Sequence, residues 1–251
     1  MISSEMIDIM GPAIVAGLMV ALTHAPLGIE VLKRGIIFID LAVAQIAGCG
    51  LVVANVFWHD APPWLMQAMA LSFALLAGLF FRAIEKSRPA ELEAVIGCSF
   101  VLAASVALLL LADHPHGGEE VQHLLSGQIL LTSWQQVFQH APFYVLILSL
   151  WFLKPSLRQG LGFYGLFALA ITSSVQLVGV YVVFSSLILP ALAATTAKKP
   201  LLMAYGCGIC SVLMGMMIAM FFDLPAGSVL VITYTALTTL MMILPLNRKT
   251  N

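Results

Sequence analysis

IIFIDLAVAQIAGCGLVVANVF, residues 36–57, carries one charged side chain in its whole length, Asp40. As a helix it would rise about 33 Å, enough to cross the ~30 Å hydrocarbon core of a bilayer. Working outward from it, Lys33 and Arg34 stand just before, His59 and Asp60 just after, and the apolar pattern then resumes. Further runs cover 9–25, 64–81, 94–112, 141–153, 161–178, 180–197, 201–222 and 229–244. The run 141–153 is short and borrows from Trp134 onward, while the pair flanking Gly179 is cramped enough for one member to be a half-helix or re-entrant segment. The expectation is an all-α integral membrane protein, a bundle of eight or nine transmembrane helices forming one domain over residues 1–251.

Composition points the same way. Of 251 residues, 61% are hydrophobic and 9% charged, and the mean hydropathy is +1.02. A soluble domain carries about 25% charged residues, so this chain lacks the polar surface to coat a soluble globule. A net charge of −1 gives no reason to expect a nucleic-acid partner. Cys49, Cys98, Cys207 and Cys210 lie in apolar runs and read as reduced, space-filling residues. The N-terminus lacks a basic segment and a small-residue cleavage site, so no removable signal peptide is expected.

The basic residues orient the chain. They gather as Lys33/Arg34, Arg82/Lys86/Arg88, Lys154/Arg158, Lys198/Lys199 and Arg248/Lys249. With nine spans and an external N-terminus, every cluster falls on one side, which the positive-inside rule makes the cytoplasm, with the C-terminus there too. No stretch between runs exceeds about thirty residues, so any energy-using or ligand-capturing domain belongs to another chain.

Residues 160–165 read Gly-Leu-Gly-Phe-Tyr-Gly, matching G-x-G-x-x-G. A dinucleotide fingerprint needs a preceding strand, whereas this one opens an apolar run and reads as helix packing. No G-x-x-x-x-G-K-[ST] occurs, so the chain holds no ATP by a P-loop. Cys207 and Cys210 have C-x-x-C spacing inside a run. There Ala204, Gly208, Ser211 and Gly215 form a small-residue stripe for close helix approach, and the cysteines belong to that contact.

Two places carry ion chemistry. An ionisable group within a span costs a few kcal/mol and marks an ion path or a buried pair; Asp40 is such a group, with Lys33 and Arg34 as candidate partners and Ala44 and Gly48 placing it on a close helix contact. The stretch Asp113, His114, His116, Glu119, Glu120 and His123 gathers imidazoles and carboxylates, which suit zinc and also manganese or ferrous iron. The alternative for it is a solvated polar loop.

The chain resembles the permease subunits of the zinc/manganese/iron ABC importers. Lys33-Arg34, Phe38, Asp40-Leu41-Ala42 and Ala44 are similar to that family's basic–aromatic–Asp–Leu–Ala–His–Ala segment. Leu125, Gly127, Ile129 and Leu130 resemble its external element. Gly179, Ser185-Ser186, Leu187, Pro190-Ala191 and Ala194 resemble its Gly…Leu-x-x-Pro-Ala-x-x-Ala stretch, and Asp223, Pro225 and Gly227 its Asp-x-Pro-x-Gly turn. The histidine that follows the aspartate is missing: Val43, Ala44 and Gln45 stand there, and Gln45 is the residue able to supply an oxygen. The loop 154–160 is also shorter than the family's.

The resemblance implies a type II ABC-importer permease in a bacterial inner membrane. It implies a homodimer embedded in lipid, two cytoplasmic ATPase subunits, an external metal-binding protein, no permanent cofactor and no enzymatic activity of its own. The transported ion would be divalent, with zinc favoured by the histidines. Residues 191–201, between Pro190 and Pro200, would form a short cytoplasmic helix seated in the ATPase through Ala191, Leu192, Ala194, Thr195, Lys198 and Lys199. Two other readings stay open: a permease for a metal chelate or cobalamin, and an intramembrane metalloenzyme using Glu119 and His123. The latter lacks H-E-x-x-H.

Overall fold

The computed structural model describes residues 4–58, 62–111 and 129–243, with side chains from residue 10 onward. Nine α-helices account for nearly all of them: α1 Ser4–Arg34, α2 Ile39–Phe57, α3 Pro63–Ser87, α4 Leu92–Leu110, α5 Trp134–Leu153, α6 Gly160–Val178, α7 Val180–Ala193, α8 Pro200–Phe222 and α9 Ala226–Ile243. Among the described residues there is no strand, and eight of the helices are long and apolar enough to cross a membrane. The ninth, α7, has fourteen residues. This settles the cramped pair around Gly179: α6 keeps full length, α7 is the short member, and Gly179 joins them at φ 79°.

Several boundaries move for physical reasons. α1 does not stop at residue 25 but runs through Pro12 and Pro26 to Arg34. Membrane helices tolerate such prolines because neighbouring groups take up the freed carbonyls. α2 starts at Ile39 rather than residue 36, because the chain first turns at Gly35, whose φ of 68° only glycine adopts cheaply. α5 starts at Trp134, as the shortness of 141–153 requires. The expected separate helix over 191–201 does not form. α7 continues through Pro190 to Ala193, residues 194–199 make turns, and Pro200 opens α8.

The chain divides into two compact units. One holds residues 1–35, 126–144 and 176–251, in which α1 packs on α7 and α8, and α9 on α7 and α8. The other holds 36–125 and 145–175, where α2 packs on α3 and α4.

The small-residue stripe of α8 makes the contacts expected of it. Ala204 packs with Ala25; a Cβ on Gly208 would lie 3.3 Å from that of Ala21; one on Gly215 would come within 2.8 Å of Leu230. Ser211 is buried in the same stripe. Cys207 is buried with its Sγ 3.5 Å from Thr238 Oγ1, Cys210 is exposed, and all four thiols are free. The glycines at 160–165 open α6, with Gly160 at φ 57°, so they serve a helix start.

Outward faces are apolar, as on α4 with Val101, Leu102 and Leu109 and on α8 with Met217 and Phe221. Ser72 and Ser105, exposed on such faces, donate to the carbonyls of Ala68 and Val101 at 2.6 and 2.8 Å. Their hydroxyls are thus satisfied within their own helices.

A carboxylate pair as candidate ion site

The turn at Gly35 sets Asp40 in the first turn of α2. The helix has no side-chain cap of its own; its N-cap residue, Phe38, donates its backbone N–H at 3.2 Å to Glu93 Oε1, from the first turn of α4. Two carboxylates thus stand in the first turns of two helices that pack together, and Glu93 is tied to the start of α2. The positive end of a helix dipole lowers the cost of a negative charge there.

That help is incomplete. Asp40 is fully buried, and neither of its carboxylate oxygens has a hydrogen-bond partner; Glu93 Oε2 is also buried without one. A buried carboxylate lacking partners costs several kcal/mol. A divalent cation between the two would convert their repulsion into attraction and use the three idle oxygens. Among the described residues, no group of three or more His, Cys, Asp and Glu is arranged to hold a metal, so the pair would be completed by water, backbone or cargo.

The other candidates fare differently. Lys33 and Arg34 pair with Glu30, at 3.8 and 3.2 Å. Ala44 and Gly48 are buried, as a close helix contact requires. Gln45 is also buried, but five residues beyond Asp40 it lies roughly 140° round the helix and does not share the Asp40 face. Asp113, His114, His116, Glu119, Glu120 and His123 lie outside the described residues. Glu93 was missed because it stands one residue before the apolar run 94–112; the available signal was an acidic residue heading a span, the same position Asp40 holds in α2.

The expected coupling residues divide by exposure. Ala191 and Ala194 are buried, Ala194 against Ala25 and Ala204, and Leu192 is half-buried. Ala191 and Ala194 are thus covered within this chain, in the last turn of α7 and the turn after it, and Leu192 keeps part of its surface free. Thr195, Lys198 and Lys199 are exposed. In the short loop, Arg158 folds back: its Nε donates to the Trp151 carbonyl at 2.8 Å and its guanidinium lies 5.7 Å from the Trp151 ring. It thereby caps α5 and leaves Lys154 as the exposed cation there.

Eight apolar helices of spanning length among the described residues define a polytopic membrane protein. The chain belongs to the ABC 3 transport family, whose model matches residues 6–161 and 155–245. It is the non-enzymatic membrane subunit of an ABC transporter, as the motifs at 33–44, 179–194 and 223–227 led one to expect.

Two solved structures share the fold. PsaBC from Streptococcus pneumoniae, determined in complex with a Fab, is 18% identical with a TM-score of 0.74, covering 94% of this chain and 92% of that one. An inward-facing transporter assigned to the metal-chelate type is 15% identical with a TM-score of 0.69, over 97% and 90%. No curated protein sequence matches the chain.

Proposed function

We propose that this chain is the permease through which a divalent metal ion enters a bacterial cell, driven by ATPase subunits on separate chains. The observation that carries the reading is three buried carboxylate oxygens without hydrogen-bond partners, two on Asp40 and one on Glu93. The whole of 1–251 acts as one permease domain and pairs with a second copy. Counting α7 as a crossing, Lys33/Arg34, Arg82/Lys86/Arg88, Lys154/Arg158 and Lys198/Lys199 share one side, which supports a cytoplasmic face bearing the C-terminus and a location in the inner membrane. The exposed turn Thr195–Lys199 is the part of that face offered to the two ATPases, and an external metal-binding protein delivers the ion opposite.

Carboxylate oxygens suit manganese or ferrous iron better than zinc, whereas the histidines at 114, 116 and 123 favour zinc. A compact pair of carboxylates fits a bare ion better than a bulky chelate. The test is uptake of Mn(II), Fe(II) and Zn(II), each bare or chelated, into vesicles holding the permease with its ATPase. Asp40→Asn should cut uptake about 100-fold, and Glu93→Gln about 10-fold, equivalent to about 2.8 and 1.4 kcal/mol, with insertion and ATPase association retained. Normal uptake by Asp40→Asn would overturn the ion-path reading, and uptake confined to the chelate would replace the cargo.

A further inference from the structure

α1 and α7 approach more closely than side chains allow. A Cβ on Gly28 would run into the Leu187 carbonyl oxygen and sit 3.2 Å from Ala191 Cβ. One turn earlier on α1, His24 Nδ1 lies 2.7 Å from Ser186 Oγ, with both residues fully buried. Ser186 spends its single hydroxyl proton on the Val183 carbonyl, at 2.9 Å. The Val183 carbonyl also interacts with His24, so the two side chains and this carbonyl form one buried polar cluster between α1 and α7.

Both helices are broken in their ladders at this level. Pro190 has no N–H for the Ser186 carbonyl, and Pro26 has none for that of Leu22. Prolines inside helices make compliant points; here each of the two helices joined by the buried hydrogen bond carries one close to it in sequence. Just beyond, Ala194 packs on Ala25 and the exposed turn 195–199 begins.

We propose that the His24–Ser186 hydrogen bond is a pin that ties α1 to α7 just before Pro190, so that the two helices and the turn that follows α7 move together when a stroke is delivered at Thr195–Lys199. His24 is then a positioning residue and does not touch the ion. The proposal rests on the ATPase-driven reading above for its use, though not for its existence.

Two measurements separate the pin from its use. The first is amide hydrogen exchange over 191–199 in the purified permease. Ser186→Ala, which deletes one oxygen, and His24→Ala should each speed exchange about tenfold, and the double variant no more than either alone. His24→Asn, whose amide nitrogen falls near the position of Nδ1, should restore the slow rate. The second is metal taken up per ATP hydrolysed by the assembled transporter in liposomes. Ser186→Ala should lower that ratio about tenfold with the hydrolysis rate kept, and His24→Asn should recover most of it.

Unchanged exchange in Ser186→Ala would overturn the pin. Faster exchange with an unchanged ratio would overturn its role in coupling, as would a shifted KM for the metal in His24→Asn with Ser186→Ala normal, which would make His24 an ion contact. Absence of ATP-driven uptake in the unmodified transporter would instead overturn the functional reading beneath it, while the exchange data still report on the pin.

Discussion

His24 and Asp40 are both buried, polar and set in apolar helices, yet their surroundings differ. His24 is matched by Ser186, whose own proton is matched by a backbone carbonyl. Asp40 meets a second carboxylate, and its oxygens go unmatched. A satisfied buried group returns its desolvation cost as fixed geometry, whereas an unsatisfied one holds a deficit that only a ligand removes. On the proposed reading the two places do different work: the α1–α7 contact holds helices in register, and the unmatched oxygens at the start of α2 and α4 take the ion.

The largest effect that would test this contrast is at Gly28. Gly28→Val should prevent α1 and α7 from seating, at a cost of about 3 kcal/mol or more, and show as loss of monodisperse protein after detergent extraction. Stable, monodisperse Gly28→Val protein would mean the contact carries little of the fold. An intermediate effect separates inner from outer residues after Pro190. Ala194→Glu puts a carboxylate among Ala25 and Ala204 and should cost roughly 2–4 kcal/mol in thermal unfolding. The pair Lys198→Glu and Lys199→Glu should move stability by less than about 0.5 kcal/mol and yet weaken ATPase association severalfold in pull-down. If Ala194→Glu unfolds like the parent, the turn is open and the docking surface includes it. The smallest effect is at Gln45: Gln45→Ala should change uptake by no more than about twofold, since Gln45 points away from the Asp40 face. A loss as large as that for Asp40→Asn would widen the ion site around α2.

Most of the fold was readable because a spanning helix announces itself locally, through about twenty apolar residues in a row. The sequence missed where helices end. Residues 26–34 look like a break, with Pro26, Gly28 and a polar tail, but they continue α1 because α7 covers Gly28. Asp40 stood out as a charge in an apolar run. Glu93 did not, since its meaning comes from Phe38, fifty-five residues away in sequence and adjacent only after α2 and α4 pack. His24 likewise gained its meaning from Ser186 across 162 residues. The expected helix over 191–201 failed for a local reason: Pro190 was read as a stop, yet a proline in a buried helix loses one hydrogen bond and the helix goes on.

The shortness of α7 bears on how the protein is made. Fourteen residues rise about 21 Å, well short of a bilayer core, so α7 is poorly matched to lipid and needs the surfaces of α1, α8 and α9 around it. Two of those three follow it in the chain. The unit holding residues 36–125 and 145–175 has all its parts once synthesis passes residue 175, but α1, which emerges before them, has its partners only when α7 and α8 have followed. Its Gly28 notch and His24 therefore find Leu187 and Ser186 only late in synthesis.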